Sequence, residues 1–422
     1  MTMVGAEKDG QGGRSVGQHR FVRPHRPVAV RAANRAGRVL QRAGHPALSL
    51  DPAVMMRQAS ASVGLDDYGS DEFLEPLGVL CAALDGGARL TPVGRYFAHG
   101  RIVGSLRNRL LIEEAISTRP EMVSTPLAPP TVIVGLPRTG STLLQSLIAQ
   151  DPLHRPLLTW EAARPVPGGR GPDDRHQVST RHMKILDYLA PAARSLHPIG
   201  PDLATECVTL MANSFASLEL ATINWVPTYL DWCLDHDLGP HYAYLYRQLQ
   251  LLECRVRSER WVLKSPSHLF WLDDLLDAFP GARVIQTHRD PIAVVGSFCS
   301  LSSTFCSVGE DEVPTQVLAR RWTEAWAEGL DRTSRVRASR PDVAVADVRY
   351  DELMRSPIAA VERVYAELDL ELTPAAVAAM QAFLAGEGGT AAINHDYSLE
   401  QFGLDPAEEA ERYRGYSASY GL

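Results

Sequence analysis

The stretch Thr131-Val-Ile-Val-Gly-Leu-Pro-Arg-Thr-Gly-Ser-Thr-Leu-Leu144 decides how this chain folds. Residues 131–134 are a short, β-branched, uninterrupted apolar run, the pattern of a parallel strand buried on both faces. Gly135 and Gly140 then punctuate the chain, and Pro137 fixes a turn. Leu143, Leu144, Leu147 and Ile148 recur at helical spacing, which predicts a helix over 140–149. Strand, glycine loop and helix make a phosphate cradle. The N–H groups that open a helix lack intrahelical partners, and the helix dipole favours an anion there.

Gly135 and Gly140 have the separation of the G-x-x-x-x-G-K-[ST] loop, whose lysine reaches the terminal phosphates of a nucleotide. Ser141 stands where that lysine should be, and the loop's only cation is Arg138. A nucleoside triphosphatase without its lysine loses its main grip on the β- and γ-phosphates. A cradle for a shorter phosphate group does not need it. The candidate anion ligands are Arg138, Thr139, Gly140, Ser141 and Thr142.

Downstream, Trp261-Val-Leu-Lys264 is a second buried-strand candidate, running into Ser-Pro-Ser-His268. A helix is expected over 270–279 and a strand over 282–288, ending at Arg289-Asp-Pro-Ile. The next helix carries Ser297. Further expectations are a helix over 317–340, a strand over 342–347, helices over 358–368 and 374–385, and a surface-wrapping tail from 386. Strands alternating with helices imply a parallel α/β sheet, a P-loop-like three-layer sandwich. Ligands of such sheets bind at the carboxyl ends of the strands, where Gly135, Lys264 and Arg289 all fall.

Upstream, residues 1–25 read as a flexible basic tail and 26–125 as a helical N-terminal region. In that region Asp51 begins a helix through Ala59, a capped turn at 71–76 precedes a helix over 77–84, and Thr91-Pro opens another. Residues 126–422 read as the α/β domain, with a helical insertion at about 175–257. Its aromatic residues (Phe215, Trp225, Tyr229, Trp232, Tyr242, Tyr244 and Tyr246) read as core, and the insertion itself as a lid over the site. The N-terminal helices suit packing against the main domain or a second subunit, so a homodimer is an open expectation.

The chain has 422 residues, 45% hydrophobic, with a net charge of −8. That supports a sizeable core and gives no basic field for nucleic acid. No apolar run approaches the ~20 residues of a bilayer span, and residues 1–26 show no apolar signal segment. The six cysteines form no C-x-x-C pair and read as reduced thiols of a cytoplasmic protein without a cysteine metal site.

Taken together, the motifs resemble the sulfotransferase family that uses 3′-phosphoadenosine 5′-phosphosulfate (PAPS) and releases PAP. Gly135-Leu-Pro-Arg-Thr-Gly-Ser-Thr-Leu-Leu is similar to its 5′-phosphosulfate loop, and Arg289-Asp-Pro-Ile-Ala-Val-Val-Gly-Ser297 to its 3′-phosphate motif. Arg349-Tyr-Asp-Glu-Leu with Ser356-Pro357 resembles the family's late Tyr-Glu-Asp-Leu element. The resemblance covers about 130–370. Lys264-Ser-Pro-Ser-His and Tyr397-Ser-Leu-Glu-Gln-Phe-Gly-Leu look like the bacterial branch. Many members carry an Arg-Lys-Gly sequence near the C-terminus; 386–395 here has neither lysine nor arginine, so His395 or backbone N–H groups are the available substitutes.

The resemblance implies sulfuryl transfer to a hydroxyl of a small-molecule acceptor, with no metal. Arg138, Thr142, Lys264 and the loop N–H groups would meet charge on the leaving oxygen, and Arg289 with Ser297 the 3′-phosphate. The acceptor hydroxyl needs a general base. Glu161 follows the cradle helix, as in family members with a glutamate base. His268 is the other candidate, although the family's histidine position is occupied here by Pro266. On this reading Glu161→Gln abolishes transfer and spares PAP binding. The competing functions are a P-loop kinase, against which Ser141 argues, and a non-catalytic nucleotide-binding protein of the same fold.

Overall fold

The computed structural model describes residues 26–168, 172–189, 200–254, 259–386 and 398–422. The expected basic tail at 1–25 and the lysine-free segment at 387–395 with His395 lie outside them.

Five parallel strands form one sheet: β1 (Thr131–Gly135), β2 (His154–Pro156), β3 (Arg260–Lys264), β4 (Arg283–His288) and β5 (Val345–Arg349), in the order β2-β3-β1-β4-β5. β1 is central and buried along its whole length, which is why its sequence is apolar without alternation. The chain passes from β1 to the β3 side and later returns to β4 on the other side. The crevice at the end of β1 is therefore the switch point of the sheet.

Side chains alternate between the two faces. Ile133, Val262, Ile285, Ala346 and Val348 face one layer, filled by Leu144, Leu147 and Ile148 of the helix Ser141–Ile148 and by Val361, Val364 and Met380 of the helices Pro357–Glu367 and Pro374–Ala385. Val132, Val134, Trp261, Leu263 and Val284 face the other layer. That core runs on without a break into the N-terminal helices through Met55, Leu77, Leu80, Leu106 and Leu110. The insertion's Phe215, Tyr229 and Tyr242 are in the same core.

Several local signals act as read. Thr91 accepts from the Gly94 N–H at 2.9 Å and Pro92 starts a helix that runs to Thr118. Asp51 caps Pro52–Val63, which runs past Ala59 and stops at the left-handed Gly64. Three expectations shift. The helix over 270–279 is shorter, Leu272–Ala278, because Pro266–Leu269 is a separate 3₁₀ turn. β5 starts at Val345, because a turn from Arg340 to Val343 follows the long helix. The tail does more than wrap: Phe402 and Tyr413 enter the core, and two helices form, Pro406–Arg412 and Arg414–Tyr420. Among the described residues one helix, Pro291–Gly309, has the length and apolarity to cross a membrane, and 67% of its apolar window is buried inside the protein.

Candidate functional site

The loop after β1 is shaped by backbone conformations that few residues adopt. Gly135 has φ +139°, and a Cβ there would lie 2.4 Å from the hydroxyl oxygen of Thr287 and 2.5 Å from its carbonyl oxygen. Gly140 has φ +83°, and its Cβ would lie 2.9 Å from Leu353. Both glycines are therefore fixed by close approach of β4 and the helix Tyr350–Arg355. Between them Arg138 is left-handed at φ +67°, a conformation that costs a non-glycine residue about 1–3 kcal/mol and collects at functional loops. Thr139 is buried; its hydroxyl donates to the Leu136 carbonyl at 2.7 Å and lies 2.6 Å from the Thr287 hydroxyl. Its side chain thus pins the loop to β4. Ser141 and Thr142 open the cradle helix Ser141–Ile148, whose first turn carries no side-chain cap.

Two further cations reach this loop. Lys264, at the end of β3, is buried and its Nζ lies 3.1 Å from Thr142 Oγ1 and 3.0 Å from a carboxylate oxygen of Glu206. Lys264 is the register partner of Ile133, so it shares the sheet face of the cradle helix. Arg289, just after β4, donates to the Arg138 carbonyl at 2.9 Å and lies over the Tyr350 ring at 4.0 Å. The two motifs that the sequence offers for anion binding therefore meet at one end of the sheet. Ser297 is buried on the helix Pro291–Gly309, whose first turn Asp290 caps at Ile292.

Behind Arg289 the C-terminus holds the strand end. His288 lies 2.7 Å from the Tyr416 hydroxyl through Nδ1 and 2.8 Å from Asp347 through Nε2, and its ring stacks on Tyr420 at 3.8 Å. Arg337 holds Asp347 with two hydrogen bonds at 2.7 and 2.9 Å. Burial favours the protonated form of Asp347, but the bonds from His288 and Arg337 more than offset it and hold the carboxyl well below its usual range. Burial lowers the His288 pKa.

Each of the two base candidates has hydrogen-bond partners of its own. Glu161, on the short helix Thr159–Ala163, accepts from Arg155 at 2.5 Å and from the Leu158 N–H at 3.3 Å. Arg155 is the register partner of Trp261 and lies over its ring at 4.2 Å, on the sheet face opposite Lys264. His268 is fully buried, with Nδ1 2.7 Å from the Tyr242 hydroxyl, and burial pushes its pKa down to about 3. It is a neutral imidazole enclosed by the core. Among the described residues, the carboxylate paired with Lys264 is that of Glu206. Nothing in its local sequence marks it, because it is brought there by the chain crossing from Leu157 to the end of β3. Tyr416 and Tyr420 escaped for the same reason.

A central parallel sheet between helical layers, with a glycine-shaped loop at its switch point flanked by Lys264 and Arg289, defines a P-loop-like α/β fold. The profile of the sulfotransferase family matches residues 129–374, and the chain belongs to that family. It is 32% identical to sulfotransferase STF1 from Mycobacterium tuberculosis H37Rv, whose crystal structure superposes with a TM-score of 0.73 over 86% of this chain and 98% of that one. Sulfotransferase STF9 from Mycobacterium avium is 27% identical, with a TM-score of 0.78 over 89% and 98%. The omega-hydroxy-beta-dihydromenaquinone-9 sulfotransferase Stf3 of Mycobacterium bovis is 24% identical over 303 residues, 65% of this chain and 71% of Stf3. The chain is a bacterial-type sulfotransferase in family and fold.

Proposed function

We propose that this protein transfers a sulfuryl group from PAPS to a hydroxyl of a small-molecule acceptor by in-line displacement. The observation that carries the reading is the hydrogen bond from Arg289 to the Arg138 carbonyl, which joins the two halves of one anion site. A donor with a phosphosulfate at one end and a 3′-phosphate at the other suits that arrangement. Arg138, Ser141, Thr142 and the N–H groups of the cradle hold the 5′ end, with Thr139 and Gly140 keeping the loop's shape. Arg289 and Ser297 take the 3′-phosphate; a guanidinium fork suits bidentate capture. Lys264 and Thr142 stand where negative charge grows on the leaving phosphate oxygen. As in phosphoryl transfer, positioning and charge stabilisation carry most of the rate.

The acceptor class we favour is an alcohol or phenol on an apolar carrier, in line with the hydroxylated quinol named for the relative Stf3. We assign the protein to the cytoplasm, a reading supported by its six unpaired cysteines.

Thermal-shift measurements with PAP, ADP and ATP, each with and without Mg²⁺, test the donor. PAP should raise the midpoint most, with no need for Mg²⁺. Stabilisation by ATP with Mg²⁺ but not by PAP would turn the reading toward a kinase. Incubation of cell extract with the protein and PAPS, followed by mass spectrometry for products that gain one SO₃, identifies the acceptor.

A further inference from the structure

We propose that Glu206 is the base that takes the acceptor's proton, an inference that rests on the sulfotransferase reading above. The segment around it is fixed on three sides. The Cys207 N–H donates to the Lys264 carbonyl at 3.0 Å, the Thr205 N–H to the Leu157 carbonyl at 2.8 Å, and Gln145 of the cradle helix to the Thr205 carbonyl at 3.4 Å. This holds the Glu206 carboxylate 3.0 Å from Lys264 Nζ, which itself touches Thr142 in the first turn of the cradle. The Lys264 side chain is 2% exposed and that of Glu206 is 23% exposed. Glu206 is thus the solvent-side member of the pair.

The chemistry closes with these groups alone. The acceptor oxygen forms a bond to sulfur as the bond from sulfur to the bridging phosphate oxygen breaks. The electron pair of that bond goes to the bridging oxygen, beside Lys264. The acceptor's proton goes to the Glu206 carboxylate and from there to water. An alcohol and PAPS give the sulfate ester, PAP and one proton. Donor binding helps, because an anion in the cradle competes for Lys264 and releases the carboxylate.

The test is Glu206→Gln, assayed with radiolabelled PAPS on benzyl alcohol and on p-nitrophenol at pH 8, with PAP thermal shift as the control for folding and binding. Transfer to the alcohol should fall about 10²- to 10⁴-fold, the span general-base catalysis supplies. Transfer to p-nitrophenol, already ionised at that pH, should fall far less. The PAP shift should persist or grow, since a negative charge beside Lys264 is gone. Equal losses on both acceptors, or wild-type transfer to the alcohol, would overturn the inference, as would an acceptor-dependent loss in Glu161→Gln instead. Failure of the underlying reading looks different: the wild-type protein itself would neither be stabilised by PAP nor label either acceptor.

Discussion

Glu161 and Glu206 each sit beside one cation, and the two pairs differ in nearly everything else. The Arg155–Glu161 pair is closed, with side chains 9% and 4% exposed, a tryptophan under the guanidinium, and a backbone N–H on the carboxylate. It ties the edge strand β2 to the short helix that follows. The Lys264–Glu206 pair is open on the carboxylate side and shares its cation with the first turn of the cradle. A closed ion pair must keep its partner, because an uncompensated charge in the interior is costly. An open pair can exchange its partner for an incoming anion, since the released carboxylate remains in contact with water. The difference teaches that the two carboxylates are not equally free to change partners, which is why the proposed mechanism gives the proton to Glu206.

The sharpest way to break the comparison is to remove the open pair's cation. Lys264→Ala should lower kcat for sulfuryl transfer about 10²- to 10³-fold, the usual cost of losing one preorganised donor to a developing oxyanion. Its unfolding midpoint should move little, because Glu206 can be hydrated once released. Wild-type kcat in this variant would take the open pair out of the reaction. Breaking the closed pair should do the reverse. Arg155→Met leaves Glu161 buried without its cation and should cost about 3–5 kcal/mol of stability, read as a shift in denaturant midpoint. Transfer per folded molecule should stay within about twofold, an expectation drawn from the separation of Arg155 and Lys264 on opposite sheet faces. The double variant Arg155→Met with Glu161→Leu should recover part of that stability, because apolar side chains replace a buried pair better than half of it does. A collapse of kcat with an unchanged midpoint would exchange the roles of the two glutamates.

The sequence made the centre of this site legible and its periphery much less so. β1, β3 and β4 are buried strands, so their apolar runs are visible without partners. Gly135, Lys264 and Arg289 follow from them, since each ends or immediately follows a strand. β2 was not readable: His154, Arg155 and Pro156 form no apolar run, and only pairing with β3 makes them a strand. A proline is tolerated there because β2 is an edge. Glu206 and the Tyr416–Tyr420 clasp on His288 depend on segments far apart in sequence meeting at strand ends, and local pattern holds no record of such meetings. Spacing and the resemblance to members with a glutamate base pointed to Glu161, and the register of Arg155 against Trp261 puts its ion-pair partner on the sheet face opposite Lys264.

A third glutamate sharpens the comparison from the other side, with a smaller effect. Glu310 is as buried as Glu161, but among the described residues no cation pairs with its carboxylate: one oxygen accepts from the Trp225 N–H at 2.7 Å and the other has no hydrogen-bond partner. Burial pushes its pKa up to about 7. The folded state therefore holds a proton that the unfolded chain releases at an ordinary carboxyl pKa near 4.5. The stability from that proton is fully present below pH 4.5 and is lost as pH rises through about 7, at no more than about 1.4 kcal/mol per pH unit. Glu310→Gln keeps an acceptor for Trp225 and removes the charge. It should raise the unfolding midpoint by a few degrees at pH 8, and the gain should vanish by pH 5. A gain that is the same at both values would mean that Glu310 is ionised throughout. Isolation from a cation would then not be what separates it from the closed pair.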